Sequence, residues 1–321
     1  MKQDAFLMQT LSLEQLGQAS FLDKRLGVSL ASAQAIAVRE LPVLPDHPAF
    51  LFHTAFCGST LLARSLHAPL GTVALKEPAA LLSLAHADLN GKMRMTPDAR
   101  VLQVALSLLA RPWVREGQVM IKPTNQVNRL LPILVRASGR PALLLYSSLE
   151  EFLISCFKKL PEAEEQLRWM ARFLLPDTRL AARLGLDRTY SPNFVEACVL
   201  TWYAQMERYA FVLDNDPDDR LRSLDMHSML AQPVEAVHAS ALWLGLEASL
   251  VDLSRRVLET FSRDSKRVNR SFGTAEREHE KAIVRQHFGP LIRKSLGWAE
   301  QTVLPAASLP VRWKPLLGAA D

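Results

Sequence analysis

The chain has 321 residues, of which 49% are hydrophobic and 22% charged, a composition typical of a globular protein with one large α/β domain or two smaller ones. Its 38 lysines and arginines against 33 acidic residues give a net charge of +5 without a long basic block, which disfavours non-specific nucleic-acid binding and is compatible with an anionic ligand. The sequence has no apolar run of about 18 residues and no apolar segment near its start, so it predicts neither a transmembrane helix nor a signal peptide.

Cysteine and histidine usage disfavours further classes of site. Cys57, Cys156 and Cys198 are far apart and odd in number, which predicts no disulfide framework and favours a reducing, cytoplasmic location. The eight histidines form no H-x-x-x-H pair, and no Cys-x-x-Cys occurs, so we predict no metal site. The G-x-S-x-G motif of serine hydrolases is also absent from the sequence.

The predicted elements alternate along the chain as they do in α/β proteins. Residues 1–45 have a helical pattern and form an N-terminal extension that leads into one domain over residues 46–300. In that domain, short apolar runs alternate with helical patterns, which predicts a parallel sheet of about five strands between two layers of helices and a helix-rich C-terminal part. Residues 301–321 are predicted to be a loose tail. The candidate strands are residues 49–53, 72–75, 119–121, 142–146 and 221–224.

Three helix starts carry capping residues. Residues 96–98, Thr-Pro-Asp, offer an N-cap, a proline and an early acid, and Ser148 with Glu151 predicts a capping box. Ser191 and the proline after it predict the start of a long helix. Apolar residues recur in that helix at every third or fourth position, which indicates a core-facing stripe. The stripe comprises Phe194, Val195, Cys198, Val199, Trp202, Tyr203 and Met206.

The segment after the first predicted strand has the chemistry of an anion-binding turn. The strand ends near His53, Gly58 permits a tight turn, and Ser59 and Thr60 open a helix. The first amides of a helix have no intrahelical partners, and the helix dipole adds partial positive charge there. We therefore expect the amides and hydroxyls of this turn to bind an anion.

Two widespread anion-binding loops fit this turn poorly. The nucleotide P-loop, G-x-x-x-x-G-K-[ST], would have His53 at its first glycine and Ser59 at its lysine, which disfavours an ATP or GTP hydrolase. A phosphatase loop needs Cys-x5-Arg, whereas six residues separate Cys57 from Arg64. A cysteine at a helix start can have a lowered thiol pKa, but the interpretation that we favour is a small residue in a tight turn.

A third comparison matches better, because the turn resembles the 5′-phosphosulfate loop of the sulfotransferases. Cys57, Gly58, Ser59 and Thr60, followed by two leucines, match the end of the family's Arg/Lys-Ser-Gly-Ser/Thr-Thr loop. Further resemblances follow in the family's order and together cover about residues 49–250. The matching segments are residues 74–82 (a strand followed by Glu-Pro), 119–131 (the K-x-P-N segment), 142–158 (a strand and a helix with a late serine) and 220–247 (a late element ending in Leu-Gly-Leu).

The resemblance implies a P-loop-like three-layer fold that binds 3′-phosphoadenosine 5′-phosphosulfate. Such an enzyme transfers the sulfuryl group to a hydroxyl or amine of an acceptor and needs no metal. The late basic segment of residues 262–270 would reach the 3′-phosphate, or would be only a solvated helix end. The donor-binding residues implied in this way are Cys57, Gly58, Ser59, Thr60, Ser155, Lys266, Arg267 and Arg270.

The resemblance also suggests which residues carry the chemistry. Glu77 follows the second strand and is the candidate general base, and Lys122 is the candidate for stabilising the sulfuryl oxygens or the leaving group. Alternatives stay open for both: Glu77 as a glutamate that serves a helix dipole, and Lys122 as a surface lysine. For His53 we favour a strand-end histidine that is satisfied by backbone groups over a catalytic role.

Two positions depart from the family pattern. The basic residue of the loop falls on Phe56, and the arginine of the family's Arg-Asp-Pro falls on Ser147. Three hypotheses follow: a sulfotransferase, a non-catalytic nucleotide- or anion-binding module on the same fold, and a small-molecule kinase. The kinase has least support, because the loop lacks a lysine. The sequence predicts neither the acceptor nor the oligomeric state.

Overall fold

The computed structural model describes residues 43, 47–67, 71–111, 117–246, 250–262, 273–311 and 313–318. The predicted helical extension over residues 1–45 therefore lies, apart from residue 43, outside the described residues. Within the described ranges, no helix combines the length and the apolar character that crossing a bilayer requires.

The described residues contain one sheet of five parallel strands, in the order β2-β3-β1-β4-β5. From β1, the chain adds β2 and β3 on one side and then crosses to add β4 and β5 on the other. Open parallel sheets bind ligands beyond the carboxyl ends of the strands at such a switch point. The strands are β1 (Ala49–His53), β2 (Thr72–Lys76), β3 (Gln118–Lys122), β4 (Ala142–Tyr146) and β5 (Leu221–Asp225).

All five strand predictions are confirmed, and no strand end moves by more than one residue. Side chains of β1 alternate between the two faces of the sheet: Phe50 and Phe52 pack into one core cluster, and Leu51 packs into the other. A strand that is buried on both faces needs apolar residues at nearly every position, which is why the strands stand out in the sequence.

Helices cover both faces of the sheet. The face that carries Phe50 and Phe52 packs against the long helix α8, and the opposite face packs against α1, α10 and α11. A 3₁₀ helix, Asn125–Leu130, follows β3. The helices are α1 (Ser59–Leu66), α2 (Ala79–Leu89), α3 (Arg100–Leu109), α4 (Leu131–Ser138), α5 (Leu149–Phe157), α6 (Glu164–Leu174), α7 (Arg179–Arg183), α8 (Phe194–Asp214), α9 (Met226–Ala231), α10 (Pro233–Trp243), α11 (Leu250–Phe261) and α12 (Thr274–Trp298).

The predicted capping box of α5 is confirmed in its first half, because the Ser148 hydroxyl accepts a hydrogen bond from the Glu151 amide at 3.2 Å. The Glu151 carboxylate instead accepts from Lys281 at 2.9 Å. The prediction that α8 starts at Ser191 is wrong by two residues: the N-cap is Asn193, which forms a reciprocal capping box with Glu196. Asparagine caps helices as well as serine does, and here it also has a glutamate three residues later. The predicted core stripe of α8 is buried, fully at Cys198 and Met206 and partly at Phe194 and Val195.

The predicted helix start at residues 96–98 is wrong. These residues form a turn, in which the Ala99 amide donates to the Thr96 carbonyl at 3.0 Å, and α3 begins only at Arg100. Proline and aspartate are favoured in β-turns as well as in first helical turns, so the local sequence does not distinguish the two.

Residues 313–316 are held against the sheet, which corrects the prediction of a loose tail for this part of residues 301–321. Ser223 of β5 donates its amide to the Lys314 carbonyl at 2.7 Å and accepts at its own carbonyl from the Leu316 amide at 2.8 Å. The Trp313 ring stacks on Tyr146 with 4.5 Å between centroids. Because β5 is the last strand of the sheet, this pairing satisfies backbone groups that an edge would otherwise expose.

Candidate functional site

The turn between β1 and α1 has a strained backbone. Ala55, Phe56 and Gly58 all have left-handed conformations, with φ of 70°, 55° and 75°. For a residue other than glycine this conformation costs about 1–2 kcal/mol, and it persists only where the surroundings impose it. The shape of the turn therefore depends on tertiary contacts.

A buried polar network binds the backbone at the start of this turn. Asn128 donates its side-chain amide to the His53 carbonyl at 3.0 Å, and Gln205 donates to the Thr54 carbonyl at 3.1 Å. The Gln205 Oε1 atom accepts from Asn128 at 3.0 Å and from Asn125 at 3.2 Å. These residues were not predicted from the sequence. The signal that could have identified them is the polar amide of Gln205 within an otherwise apolar helical stripe.

Gly58 caps α1, and Ser59 and Thr60 occupy the first turn of that helix, as predicted. Ser59 is buried and Thr60 is half-buried. Gly58 also lies against Met229: a Cβ atom at this position would be only 2.7 Å from the Met229 Cε atom. The glycine therefore meets two demands, a positive φ and a close approach, while anion binding by the amides of the turn stays a prediction.

Replacing Gly58 with alanine is expected to lower the free energy of unfolding by about 2–3 kcal/mol, the sum of the left-handed penalty and of displacing a packed methionine. Gly91→Ala is the matched control, because Gly91 has a φ of 66° but nothing within 4 Å of its Cβ position. The control should cost about 1 kcal/mol in the same urea titration. Equal losses in both variants would show that Met229 does not constrain the turn.

Cys57 faces the protein interior. It is fully buried, and its Sγ atom lies 3.7 Å from the Leu145 carbonyl. Burial raises the pKa of the Cys57 thiol to about 11, which outweighs the lowering by hydrogen bonds from Thr54 and the Ser59 amide and by the charge of Lys122. The favoured interpretation, a small residue in a tight turn, agrees with this environment, and a thiolate nucleophile does not.

The two positions that depart from the family pattern have different surroundings. The Phe56 ring is half-buried, and the Lys159 Nζ atom lies over it, 3.6 Å from the ring centroid. Lys159, which follows α5, therefore brings a cation to this part of the turn. Ser147 is fully buried, and its carbonyl accepts from the Trp202 indole at 2.9 Å. Among the described residues its hydroxyl has no hydrogen-bond partner. Ser147 therefore lies inside the protein.

Three polar side chains from adjacent strands meet beside the turn. His53 ends β1, Lys122 ends the neighbouring β3, and Glu77 directly follows β2. The Lys122 Nζ atom lies 2.6 Å from Glu77 Oε1 and 3.1 Å from His53 Nε2. The structure thus brings both predicted catalytic residues together at the carboxyl edge of the sheet and adds His53 to them.

Lys122 and Glu77 differ in exposure. The Lys122 side chain is 2% exposed, so its interpretation as a surface lysine is wrong, whereas the Glu77 side chain is 35% exposed. A buried ammonium group is stable only beside a counter-ion, which Glu77 supplies. Glu77 is itself strained, with a φ of 56°, and its amide donates to the Lys122 carbonyl at 2.6 Å. Strain and a buried charge pair in one place are typical of functional sites.

Both ring nitrogens of His53 bond to backbone groups, which agrees with the interpretation favoured from the sequence. Its Nδ1 atom accepts from the Ala55 amide at 3.1 Å, so Nε2 carries the hydrogen and donates to the Pro123 carbonyl at 2.9 Å. Burial, and then the charge of Lys122, hold the pKa of His53 well below its ordinary value of 6.5, although the bond to Pro123 opposes this. His53 is therefore neutral at pH 7 and lies between the strained turn and Lys122, with its Nε2 atom 3.1 Å from the Lys122 Nζ atom.

The stability of the protein should fall as the pH drops below about 6.5, partly because the unfolded chain can protonate His53 and the native state resists it. This contribution to stability is fully present above the pKa that His53 has in the unfolded chain. It is lost as the pH falls towards the lower pKa of His53 in the native protein, at up to about 1.4 kcal/mol per pH unit. Urea unfolding between pH 5 and pH 8 measures this slope. His53→Gln should make it shallower, and His287→Gln, which changes an exposed histidine, should not; equal slopes in all three proteins would contradict the assignment.

A cavity of about 180 Å³ opens beside the turn, and Ser155 lines it together with Gly58 and Lys158. The predicted donor residue Ser155 is therefore next to the predicted loop. A larger cavity of about 600 Å³ lies at the opposite, amino edge of the sheet, where Leu221 begins β5. It is remote from Glu77 and Lys122, so we place no chemistry there.

The remaining predicted donor residues, Lys266, Arg267 and Arg270, lie outside the described residues. Among the residues that are described, no group of three or more histidine, cysteine, aspartate or glutamate side chains is arranged to hold a metal ion.

No protein-family model and no curated protein matches this sequence. The solved structures that are similar to this chain include a sulfotransferase from Alicyclobacillus acidocaldarius (TM-score 0.39, 16% identity, 78% of this chain and 97% of that one) and the sulfotransferase domain from the curacin biosynthetic pathway (0.39, 14%, 86% and 95%). They also include a sulfotransferase from Mycobacterium tuberculosis H37Rv (0.35, 14%, 80% and 80%). At TM-scores below 0.5, these similarities carry no weight in assigning a function.

Proposed function

We propose that the protein is a sulfotransferase-like enzyme that moves a sulfuryl group from 3′-phosphoadenosine 5′-phosphosulfate to a hydroxyl or amine acceptor. The observation that carries the proposal is the pair of Glu77 and Lys122, which lie 2.6 Å apart at the carboxyl ends of β2 and β3, on the edge of the sheet where the turn of Cys57 to Thr60 follows β1. The order of motifs along the chain supports it.

Sulfuryl transfer makes two demands on the protein. The acceptor must lose a proton, and the negative charge on the transferring group and on the leaving oxygen must be stabilised. The bound donor supplies an activated sulfuryl group. The proton acceptor and the groups that stabilise the negative charge must be side chains and backbone amides of the protein.

The pair is suited to both demands. Glu77 is partly exposed and can therefore reach an acceptor that enters from solvent, where its carboxylate accepts the proton. Lys122 is buried, so its charge acts in a region with little water and is weakly screened. The 2.6 Å ion pair with Glu77 holds the Lys122 ammonium group in place beside the His53 ring, so it is positioned before the reaction.

The second candidate function is a non-catalytic anion- or nucleotide-binding module on the same fold. It is favoured by Phe56 and Ser147, since neither brings a charge to the positions where the family has a cation. This candidate accounts for the strained turn, but it gives no reason for a buried lysine–glutamate pair beside it.

Ligand binding and group transfer together test the proposal. Adenosine 3′,5′-bisphosphate at 100 times its Kd should stabilise the protein by about 2.7 kcal/mol in thermal unfolding, whereas ATP with Mg²⁺ should not. Single-turnover reactions with ³⁵S-labelled donor and a panel of alcohols, phenols and amines should then yield a labelled product. Binding without transfer to any acceptor supports the module, and stabilisation by ATP with Mg²⁺ alone would indicate a kinase.

A further inference from the structure

Cations from two helices line the cavity at the mouth of the turn. Lys158 follows the end of α5, and Arg277 and Lys281 lie on the first two turns of α12. Gly58 and Ser155 line the same cavity. Three positive side chains therefore converge beside the loop, although Phe56 and Ser147 have replaced the cations that the family resemblance leads one to expect there.

Carboxylates that also line this cavity already bind two of these cations. Lys281 bonds to Glu151 at 2.9 Å, and Lys158 bonds to Glu280. Arg277 donates to the Phe261 carbonyl at 3.0 Å. Each lysine is thus held by a carboxylate on the opposite helix, so α5 and α12 are joined across the cavity.

The charges of the cavity lining do not cancel. Its three cations face two carboxylates, Glu151 and Glu280, which leaves one positive charge in excess. Burial lowers the pKa of Lys281, but hydrogen bonds to Glu278 and Glu151 outweigh it, so that the pKa is raised and the cation persists at neutral pH. An anion that entered would find two lysines whose present partners are carboxylates and an arginine that donates to a backbone carbonyl.

The size of the cavity limits what can enter it. Sites for whole small molecules measure about 300–1,000 Å³, so about 180 Å³ admits one anionic group and not a complete nucleotide. Ion pairs across the cavity keep it small, and Arg285 on α12 adds one more, to Glu150 on α5 at 3.1 Å.

We propose that this cavity binds a phosphate or sulfate group of the ligand through Lys158, Arg277 and Lys281, and that Glu151 and Glu280 occupy the lysines until the ligand displaces them. The inference rests on the proposed function for the identity of the ligand. It assigns to α5 and α12 the charge that the loop itself lacks. When the ligand binds, its phosphate or sulfate group replaces the carboxylates of Glu151 and Glu280 as partner of the lysines. Because these carboxylates compete, they lower the affinity of the protein for the ligand.

Variants that each remove one charge test the proposal. Isothermal titration calorimetry measures their affinity for adenosine 3′,5′-bisphosphate and, separately, for inorganic pyrophosphate. Tris chloride is the buffer, because phosphate, sulfate and sulfonate buffers would compete. Lys281→Gln should weaken binding of both probes about tenfold or more, since a charge-assisted hydrogen bond is lost. Glu151→Gln should tighten binding by up to about fivefold, because a competing, partly exposed ion pair disappears.

Matched controls lie on α6. Glu164→Gln and Arg168→Gln change the net charge by the same amounts but alter a pair that does not line the cavity, so affinity should stay within twofold. Each substitution breaks only partly exposed ion pairs, so all four variants should fold, and circular dichroism checks this.

The outcomes separate this inference from the proposed function. If the wild-type protein binds the nucleotide but Lys281→Gln and Arg168→Gln behave alike, the cavity assignment is wrong while sulfuryl transfer can stand. If the variants behave as expected and no transfer occurs, the anion site stands and the enzyme assignment fails. If the wild-type protein and Glu151→Gln bind neither probe, the cavity does not bind anions.

Discussion

Replacing Lys122 with methionine is expected to lower the rate of sulfuryl transfer by about 10²–10³-fold, the effect of removing one preorganised donor from the charge that develops in a transition state. Methionine is close to lysine in length and suits the buried site. The loss in rate therefore measures the removal of the charge and not the effect of a new cavity. Single-turnover rates with labelled donor at saturation measure this effect. A rate within threefold of the wild type would remove Lys122 from the chemistry.

Glu77→Gln completes the experiment. We expect a loss of about 10²–10⁴-fold if Glu77 is the base, and the double variant should lose little more than the worse single variant, since the two residues act as a unit. Additive losses would show that Glu77 and Lys122 act independently.

Stability provides a second measurement that needs no substrate. Glu77→Gln leaves a buried ammonium group, 2% exposed, without its counter-ion. The expected cost is about 2–3 kcal/mol, less than for a fully buried pair because Glu77 is partly exposed. Lys122→Met leaves a carboxylate that water can solvate and should cost less than half as much in urea unfolding. The reverse order would mean that Lys122 does not carry a charge in the native protein.

Replacing Gln205 with leucine is expected to lower the free energy of unfolding by about 3–5 kcal/mol, because several buried partners lose their hydrogen bonds at once. The Thr54 and Thr201 carbonyls lose a donor, and the Asn125 and Asn128 amides lose an acceptor. Leucine is close to glutamine in size, so the expected loss is polar in origin. Urea unfolding gives its magnitude.

The same variant tests whether the network shapes the turn. Amide hydrogen exchange at residues 54–60 should accelerate in Gln205→Leu, and the affinity for adenosine 3′,5′-bisphosphate should fall with it. Gln166→Leu, an exposed substitution on α6, should change stability by less than about 0.5 kcal/mol and leave exchange unaltered. Unchanged exchange in the turn of Gln205→Leu would show that other contacts impose its shape.

The strands and the turn at Gly58 could be predicted from the sequence because their causes are local. A strand that is buried on both faces must be apolar throughout, and a helix that follows a tight turn calls for glycine and then small polar residues. Glu77 and Lys122 could be named as candidates for a related reason, since residues that follow parallel strands share one edge of the sheet.

Errors arose where two local structures share a composition or where distant residues decide the outcome. The Thr-Pro-Asp of residues 96–98 suits a turn and a helix start equally, so its outcome depends on packing. Likewise, nothing near Lys314 in sequence shows that it would pair with Ser223 at the edge of the sheet.

The α/β class, the five strands, the place of the turn and two residues at the sheet edge could be inferred from local sequence. The burial of Lys122 against Glu77 and His53, the bonds from Gln205 and Asn128 to the backbone of the strained turn, and the cations of α5 and α12 beside it became clear only from the folded chain. Periodicity and capping act over a few neighbouring residues, whereas the charge pairs at the sheet edge and between α5 and α12 join side chains that lie 45 to 135 positions apart along the chain.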